Sequence, residues 1–288
     1  MVRYAKPRSL EEALALLGGA PWRILAGGTD FYPALGTKPL RESVLDINGI
    51  DELRGIGETR DHIVVGARAS WSDIVRHPLP PAFDALKQAA REVGSIQIQN
   101  TGTLAGNLCN ASPAADGVPA LMILDAEVEL RSTESVRHLP LEKFILGNRR
   151  TALQPGEMVT AVRVPKASAA GHSHFVKLGA RRYLVISIAM AAVRLYVRDG
   201  VVASAAVAVG ACSAVAQRLT SLEMALTGQP ADASLFGPVE ARHFEMLTPI
   251  DDVRGSADYR REAAREIVRR ALRAALDNQA TVAGKAAA

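Results

Sequence analysis

The sequence predicts an α+β protein in three parts: two small α/β units followed by a C-terminal domain of a short antiparallel sheet with helices. Three observations predict it. Strand-like and helix-like segments alternate through residues 1–165, and a small, polar, flexible segment, "KASAAGHS" (166–173), interrupts them. Beyond it two β-rich runs meet at Asp199-Gly200, a hairpin signal. Units of 1–55, 56–170 and 171–288 follow, and a chain of 288 residues lets each bury a core.

Ser9 and Glu12 form a capping-box pattern that opens a helix over 9–18. "WRILAG" (22–27) reads as a buried strand and "SVLDIN" (43–48) as another. "HIVVGA" (62–67) is a strand, and Ser70 opens a short helix in "SWSDIVRH". Phe83, Leu86, Ala90 and Val93 share one face of a longer helix whose first turn suits Pro81. "PALMILDAEVELRS" (119–132) reads as a helix running into a strand, and "GEMVTAVRVP" (156–165) as a further strand. "VISIAMAAVRLYV" pairs with "VVASAAVAVGA" across the hairpin, although its Ala and Met content also admits a helix. Helical segments finish the chain. Between Arg254 and Arg273 the apolar Ala264, Ile267, Val268, Ala271 and Leu272 fall at helical spacing, with arginines on the other faces. That pattern fits a solvated helix face or a subunit contact.

Composition excludes several function classes. The chain carries 34 basic and 30 acidic residues, for a net charge of +4, with no basic stripe or aromatic platform, so no nucleic-acid partner is expected. Its two cysteines, Cys109 and Cys212, show no pairing pattern, which fits a reducing compartment, and they cannot by themselves ligate an iron–sulfur cluster. The N-terminus lacks the apolar core of a signal peptide and no apolar run approaches membrane-spanning length, so a cytoplasmic protein is expected. The six histidines are scattered, with no Ser-His-Asp, Cys-His or metal-ligand constellation; neither a catalytic residue nor a metal site is assigned.

Two small-residue loops carry the functional signal. "LAGGTD" (25–30) follows a strand and precedes an expected short helix, where glycine amides and the Thr29 hydroxyl can face an anion. A plain tight turn explains the same residues. The segment fits neither the three-glycine dinucleotide fingerprint nor the Gly-Lys-Ser/Thr phosphate loop. "TGTLAGN" (101–107) is a second such loop, with Asp116 beyond it. One loop can hold part of a diphosphate while the other closes on it, with Thr29, Thr103 and Asn107 as neutral hydrogen-bonding groups and Asp116 suited to sugar hydroxyls. A surface Ω-loop is the alternative for the second.

On these residues the chain resembles the FAD-binding medium subunit of the molybdenum hydroxylases, the family of xanthine dehydrogenase and carbon monoxide dehydrogenase. "AGGTD" matches the family's first flavin loop, and "TLAGNLCNASPAAD" matches its Thr-Ile-Gly-Gly-Asn loop and the Ala-Ser-Pro-x-x-Asp run that follows. "KLGARR" (177–182) echoes a third region, and the likeness extends to "DDVRGSADYRR" (251–261). The resemblance implies a PCMH-like FAD-binding domain of two α/β subdomains with FAD between them, followed by the C-terminal α+β domain. On this resemblance the small residues make room for the diphosphate and ribityl chain. Ala26, Gly27, Gly28, Thr29 and Asp30 contact the diphosphate, flanked by Leu25 and Phe31. Thr103, Ala105, Gly106 and Asn107 form the second loop, and Asn110 and Asp116 hold polar groups of the cofactor. Val93 and Val159 border the flavin ring. Lys177 matches a lysine near its polar edge, where an exposed strand lysine is the alternative. Two departures stand out: Ala105 replaces a glycine, which carries strain if its φ is positive, and "YLVIS" after Arg182 lacks the family's aspartate.

The same resemblance implies an electron-transfer oxidoreductase subunit. A large partner holds the molybdenum-pterin centre, a small partner holds iron–sulfur clusters, and the FAD here passes their electrons to an external acceptor, in a heterotrimer or its dimer. Two alternatives remain: a self-sufficient flavin oxidase or reductase of the related two-loop fold, and a non-catalytic assembly protein that has lost its flavin.

Overall fold

The computed structural model describes residues 2–286, with side chains described to residue 279. Three sheets follow one another along the chain. In the first, β1 (Tyr4–Ala5), β2 (Arg23–Leu25) and β3 (Val44–Asp46) run parallel in the order β1-β3-β2, which leaves β2 with an open edge. Between β1 and β2, α1 (Leu10–Gly19) buries Ala13, Leu14 and Leu17. Its N-cap Ser9 accepts from the Glu12 amide at 3.2 Å, while the Glu12 carboxylate accepts from the Arg8 amide at 3.0 Å, one residue before the position a capping box would use. A short helix, α2 (Phe31–Leu35), follows β2. Each of the strands expected at 22–27 and 43–48 is shortened to three residues. Gly27 leaves the sheet to meet a distant backbone segment, and Asp46 accepts from the Asn48 amide to open a 3₁₀ turn over Ile47–Gly49.

The second sheet is antiparallel. It contains β4 (Ile56–Glu58), β5 (His62–Gly66), β6 (Glu127–Arg131) and β7 (Val136–Pro140). A four-residue helix, α8 (Leu141–Phe144), and a separate hairpin of β8 (Ile145–Gly147) and β9 (Arg150–Thr151) lead to its central strand, β10 (Met158–Pro165). The order is β4-β5-β10-β6-β7. Between β5 and β6 lie α3 (Trp71–Arg76), α4 (Asp84–Glu92), α5 (Ile96–Thr101), α6 (Leu104–Asn110) and α7 (Gly117–Met122). The stretch read from the sequence as a second loop is therefore largely helical. Thr103 provides the reason: its side chain accepts from the Gly106 amide at 3.0 Å and caps α6, whose Leu104, Ala105 and Leu108 are buried in the core.

The third sheet holds β11 (His172–Leu178), β12 (Ala189–Arg198), β13 (Val201–Gly210) and β14 (Gln217–Arg218) in that order, all antiparallel. Asp199 and Gly200 both take positive φ in the hairpin turn. β12 is a strand with two buried faces, which is why its sequence lacks polar alternation. Ala189, Ala191, Val193 and Leu195 pack into a C-terminal core with α9 (Thr220–Leu226) and α10 (Ala257–Ala286), while Met190 and Ala192 join the core of the preceding sheets. The apolar stripe of α10 lies on that C-terminal core. Several of its arginines are engaged along the helix, among them Arg265 with Glu262 at 2.6 Å and Arg270 with Glu266 at 2.8 Å. The expected flexible linker is packed instead: Lys166–Ala169 form a 3₁₀ turn, the Ala170 carbonyl accepts from the buried Arg194, and a Cβ at Gly171 would collide with the Leu195 carbonyl.

Candidate functional site

A cleft of about 1680 Å³ runs beside the edge strand β2. Residues 26–31 line it from the first sheet. A Cβ on Gly27 would collide with the Thr101 carbonyl oxygen and lie 3.0 Å from Gly102 Cα, so the two small-residue segments touch backbone to backbone. Gly28 has φ +73°, and a Cβ there would sit 2.6 Å from the Tyr32 ring. These glycines make room first for the protein's own chain. The cleft is the space left where two segments approach without side chains.

The facing wall comes from α6. Thr103, Gly106, Asn107 and Asn110 are spaced at three and four residues and all border the cleft. Asn107 Oδ1 is buried beside Gly117 and has no hydrogen-bond partner, an arrangement that costs about 1–3 kcal/mol. Ala105 also lines the cleft but lies within the helix and is absent from the positive-φ positions, so it carries no backbone strain. Val93, after α4, and Val159, on β10, complete the wall. Cys109 is exposed along it.

Three residues singled out in the sequence lie outside the cleft lining. Leu25 is buried in the core. Lys177 Nζ stands 2.7 Å from Asp116 Oδ2 with both side chains buried, and it also donates to the Glu92 carbonyl at 3.4 Å. Ser187 Oγ donates to the other Asp116 oxygen at 2.9 Å. Burial pushes the Asp116 carboxyl above its usual range, against the pull of Lys177 and Ser187. A ribityl contact from Asp116 therefore requires opening this pair.

Several cleft residues were not singled out in the sequence. Trp22 lines the cleft, as do the β6–β7 turn (132–135), the turn before β10 (153–157) and Arg149. The signal for the first turn was present: "STES" between "VELR" and the alternating "VRHLP". Arg149 occupies the β8–β9 turn at φ +57°, and its guanidinium donates to the Asn110 side chain and carbonyl. Arg23, the other cleft-lining arginine, is paired with Glu42 at 3.0 Å and lies over the Phe31 ring.

Residues 1–167 match the family described as FAD binding domain in molybdopterin dehydrogenase, and residues 174–275 match the CO dehydrogenase flavoprotein C-terminal domain. The chain belongs to the molybdopterin dehydrogenase FAD-binding family. It is 37% identical over 73% of its length to the nicotinate dehydrogenase FAD-subunit of Eubacterium barkeri, of which 73% is covered. It is 31% identical to the carbon monoxide dehydrogenase medium chain of Hydrogenophaga pseudoflava, covering 94% of this chain and 96% of that one. Among solved structures, a chain of quinoline 2-oxidoreductase from Pseudomonas putida 86 superposes with a TM-score of 0.87 at 27% identity, over 96% of this chain and 98% of that chain.

The family's cofactor is FAD, and the cleft fits it. Asn107 and Asn110 border it with polar side chains suited to FAD's hydroxyls. The starts of α2 and α6 open on the same space, but most of their first-turn amides are already engaged, Tyr32 with the Gly28 carbonyl, Leu104 with the Ala69 carbonyl and Gly106 with the Thr103 side chain. Among the described residues no helix is long and apolar enough to cross a membrane, and no group of three or more His, Cys, Asp or Glu side chains could hold a metal ion.

Proposed function

We infer that the chain serves as an FAD subunit within the multi-subunit molybdenum hydroxylase class. We propose that it carries electrons from iron–sulfur clusters of a small partner subunit to an external acceptor, beside a large partner subunit that hydroxylates substrate at a molybdenum-pterin centre. A heterotrimer, or its dimer, is the assembly we infer, in the cytoplasm. FAD supplies redox chemistry that accepts electrons singly and releases them as a pair. The chain's own residues bind and orient. Ala26, Gly27, Gly28, Thr29 and Asp30 hold the diphosphate against Thr103, Ala105 and Gly106, with Phe31 beside them and Leu25 supporting the strand beneath. Asn107 and Asn110 take polar groups of the cofactor, and Val93 and Val159 form apolar walls. Lys177 and Asp116 hold each other, and Lys177 reaches the Glu92 carbonyl next to Val93, so we assign the pair to fixing that wall and setting its local charge.

The observation that supports this reading is the cleft left where two small-residue segments touch backbone to backbone, bordered by Asn107 and Asn110. The full chain, purified and scanned for flavin absorbance, is expected to release about one FAD per chain on heating, following single-site linkage. Its flavin should be reduced by the reduced iron–sulfur partner and not by substrate alone. A colourless chain that refuses added FAD overturns the proposal in favour of an assembly protein. Substrate turnover without partners would instead identify a self-sufficient flavin enzyme.

A further inference from the structure

The first glycine segment is held from behind by a side chain outside the cleft lining. Asn48 Nδ2 donates to the Ala26 carbonyl at 2.8 Å and to Asp46 Oδ1, also at 2.8 Å. Asn48 sits in the 3₁₀ turn that follows β3, where its own backbone amide donates to the same Asp46 oxygen at 2.9 Å. The turn is pressed against the chain ahead of α1, because a Cβ on Gly49 would lie 2.5 Å from the Pro7 carbonyl oxygen. Ile47 borders the cleft from this turn, and Asn48 lies behind it.

Asp46 decides which way round the Asn48 carboxamide sits. It is buried, Tyr4 Oη donates to its Oδ2 at 2.6 Å, and Lys6 Nζ is 3.9 Å from that oxygen. Burial alone would raise the Asp46 carboxyl, but the Tyr4 hydroxyl and the two Asn48 donors hold it below its ordinary value. An ionised carboxylate only accepts, so Asn48 must turn its nitrogen toward it, and that nitrogen's second hydrogen goes to Ala26. The Ala26–Gly27 peptide is planar and trans, so with its carbonyl on Asn48 its N–H points the opposite way. Among the described residues the amides of Gly27, Gly28, Thr29 and Asp30 have no hydrogen-bond acceptor, and all four residues line the cleft. The segment is thus tied down on its rear side and unbonded on its cleft side. Two glycines in such a segment leave it free to disorder, and ordering it only when a ligand arrives costs affinity.

We propose that Asn48 is a positioning residue for the cofactor: oriented by Asp46, it holds the Ala26–Gly27 peptide so that the Gly27 N–H faces the cleft before FAD binds. This rests on the FAD reading above. Asn48 acts through the glycine segment, and Tyr4, one step further out, acts through Asp46.

Flavin-fluorescence titration of the full apo chain with FAD, at about pH 8 and about pH 5, tests this in wild type, Asn48→Asp, Asn48→Ala and Tyr4→Phe, with a urea midpoint for each. Asn48→Asp keeps the shape, but near pH 8 it sets a second carboxylate against Asp46 and an acceptor against the Ala26 carbonyl. Relative to wild type at the same pH, it is expected to weaken FAD about tenfold. At the lower pH a proton shared between the two carboxylates restores a donor, and most of that loss should be recovered. Tyr4, Lys6 and Arg68, the other titratable groups facing Asp46, are unchanged in this variant. Asn48→Ala should lose about as much at both pH values, and Tyr4→Phe only about two- to threefold. A loss in Asn48→Asp that is equal at both pH values overturns the proposal, as does FAD binding in Asn48→Ala as tight as in wild type. Should Asn48→Asp fail to fold, Asn48→Ala decides. Weaker FAD binding at an unchanged urea midpoint supports the positioning role, and a fall in midpoint that accounts for the whole loss assigns Asn48 to the fold instead. A wild type that binds no FAD refutes the cofactor reading and this role with it. One that binds FAD while Asn48→Ala binds it equally refutes only the role of Asn48.

Discussion

Gly27 shows how a single position sets both fold and site. Gly27→Ala places a methyl group against the Thr101 carbonyl, so one of the two touching segments must move. Overpacking of this kind typically costs about 1–3 kcal/mol, and here it also displaces the walls of the cleft. The expected outcome is a lower urea midpoint together with substoichiometric flavin, both read on one preparation. The buried pair behind Val93 makes a second prediction at this scale. Asp116→Asn keeps the shape but leaves Lys177 as an uncompensated buried cation, an expected loss of about 3–5 kcal/mol. Replacing both partners, as in Asp116→Leu with Lys177→Met, should cost less than Asp116→Asn alone; a larger loss in chemical denaturation would show that Ser187 and the Glu92 carbonyl need the charges. At single residues the sequence was informative where side chains are missing or short, because "AGGTD" and "TLAGN" had to serve close approach. It singled out Asp116 and Lys177 but not their pairing, which depends on bringing α7 and β11 together across 61 positions.

The joint between the loop at 251–256 and α10 shows what an element asks of its neighbours. Arg260 is buried, donates to the Ile188 carbonyl at 2.6 Å, and is balanced by Asp252 at 2.6 Å. The Arg254 amide, together with the Arg260 and Arg254 side chains, holds the Asp252 carboxyl down to about 2, below its ordinary 3.8. A folded value below the unfolded one means that the unfolded chain takes up the proton first as pH falls. The stabilisation is complete above the ordinary value and disappears as pH drops through about 2. Asp252→Asn should therefore lower the melting temperature at neutral pH and flatten its fall below pH 4, an interval that differential scanning at several pH values resolves. Retention of the wild-type acid slope would show that another carboxylate controls it. Elements with one buried face were readable from period alone, as α10 and α4 demonstrate. β12 was ambiguous because both of its faces are buried, and α6 was taken for a loop because its exposed face carries glycine and asparagine toward a cleft that pattern reading does not register.

At the scale of the molecule, the cleft draws its walls from the first two sheets and the helices between them, and none from β11 to β14 or α10. The C-terminal core is organised around a separate set of side chains, linked to the rest through α4 and α7 against β11 and β12 and through polar contacts such as the Ala85 amide to Ser173 at 2.8 Å. Cofactor binding is therefore predicted to be stabilising but local. FAD at about one hundred times its dissociation constant adds about 2.7 kcal/mol to the state that binds it. Hydrogen exchange with and without FAD should slow most in residues 23–31 and 102–110, whose backbones form the cleft walls, and least in β12, β13 and the described part of α10. Uniform protection across all three sheets would mean that the C-terminal domain closes with the cofactor. Local protection would leave the surface of that domain independent of cofactor loading, so that the chain can meet its partner subunits before or after FAD arrives.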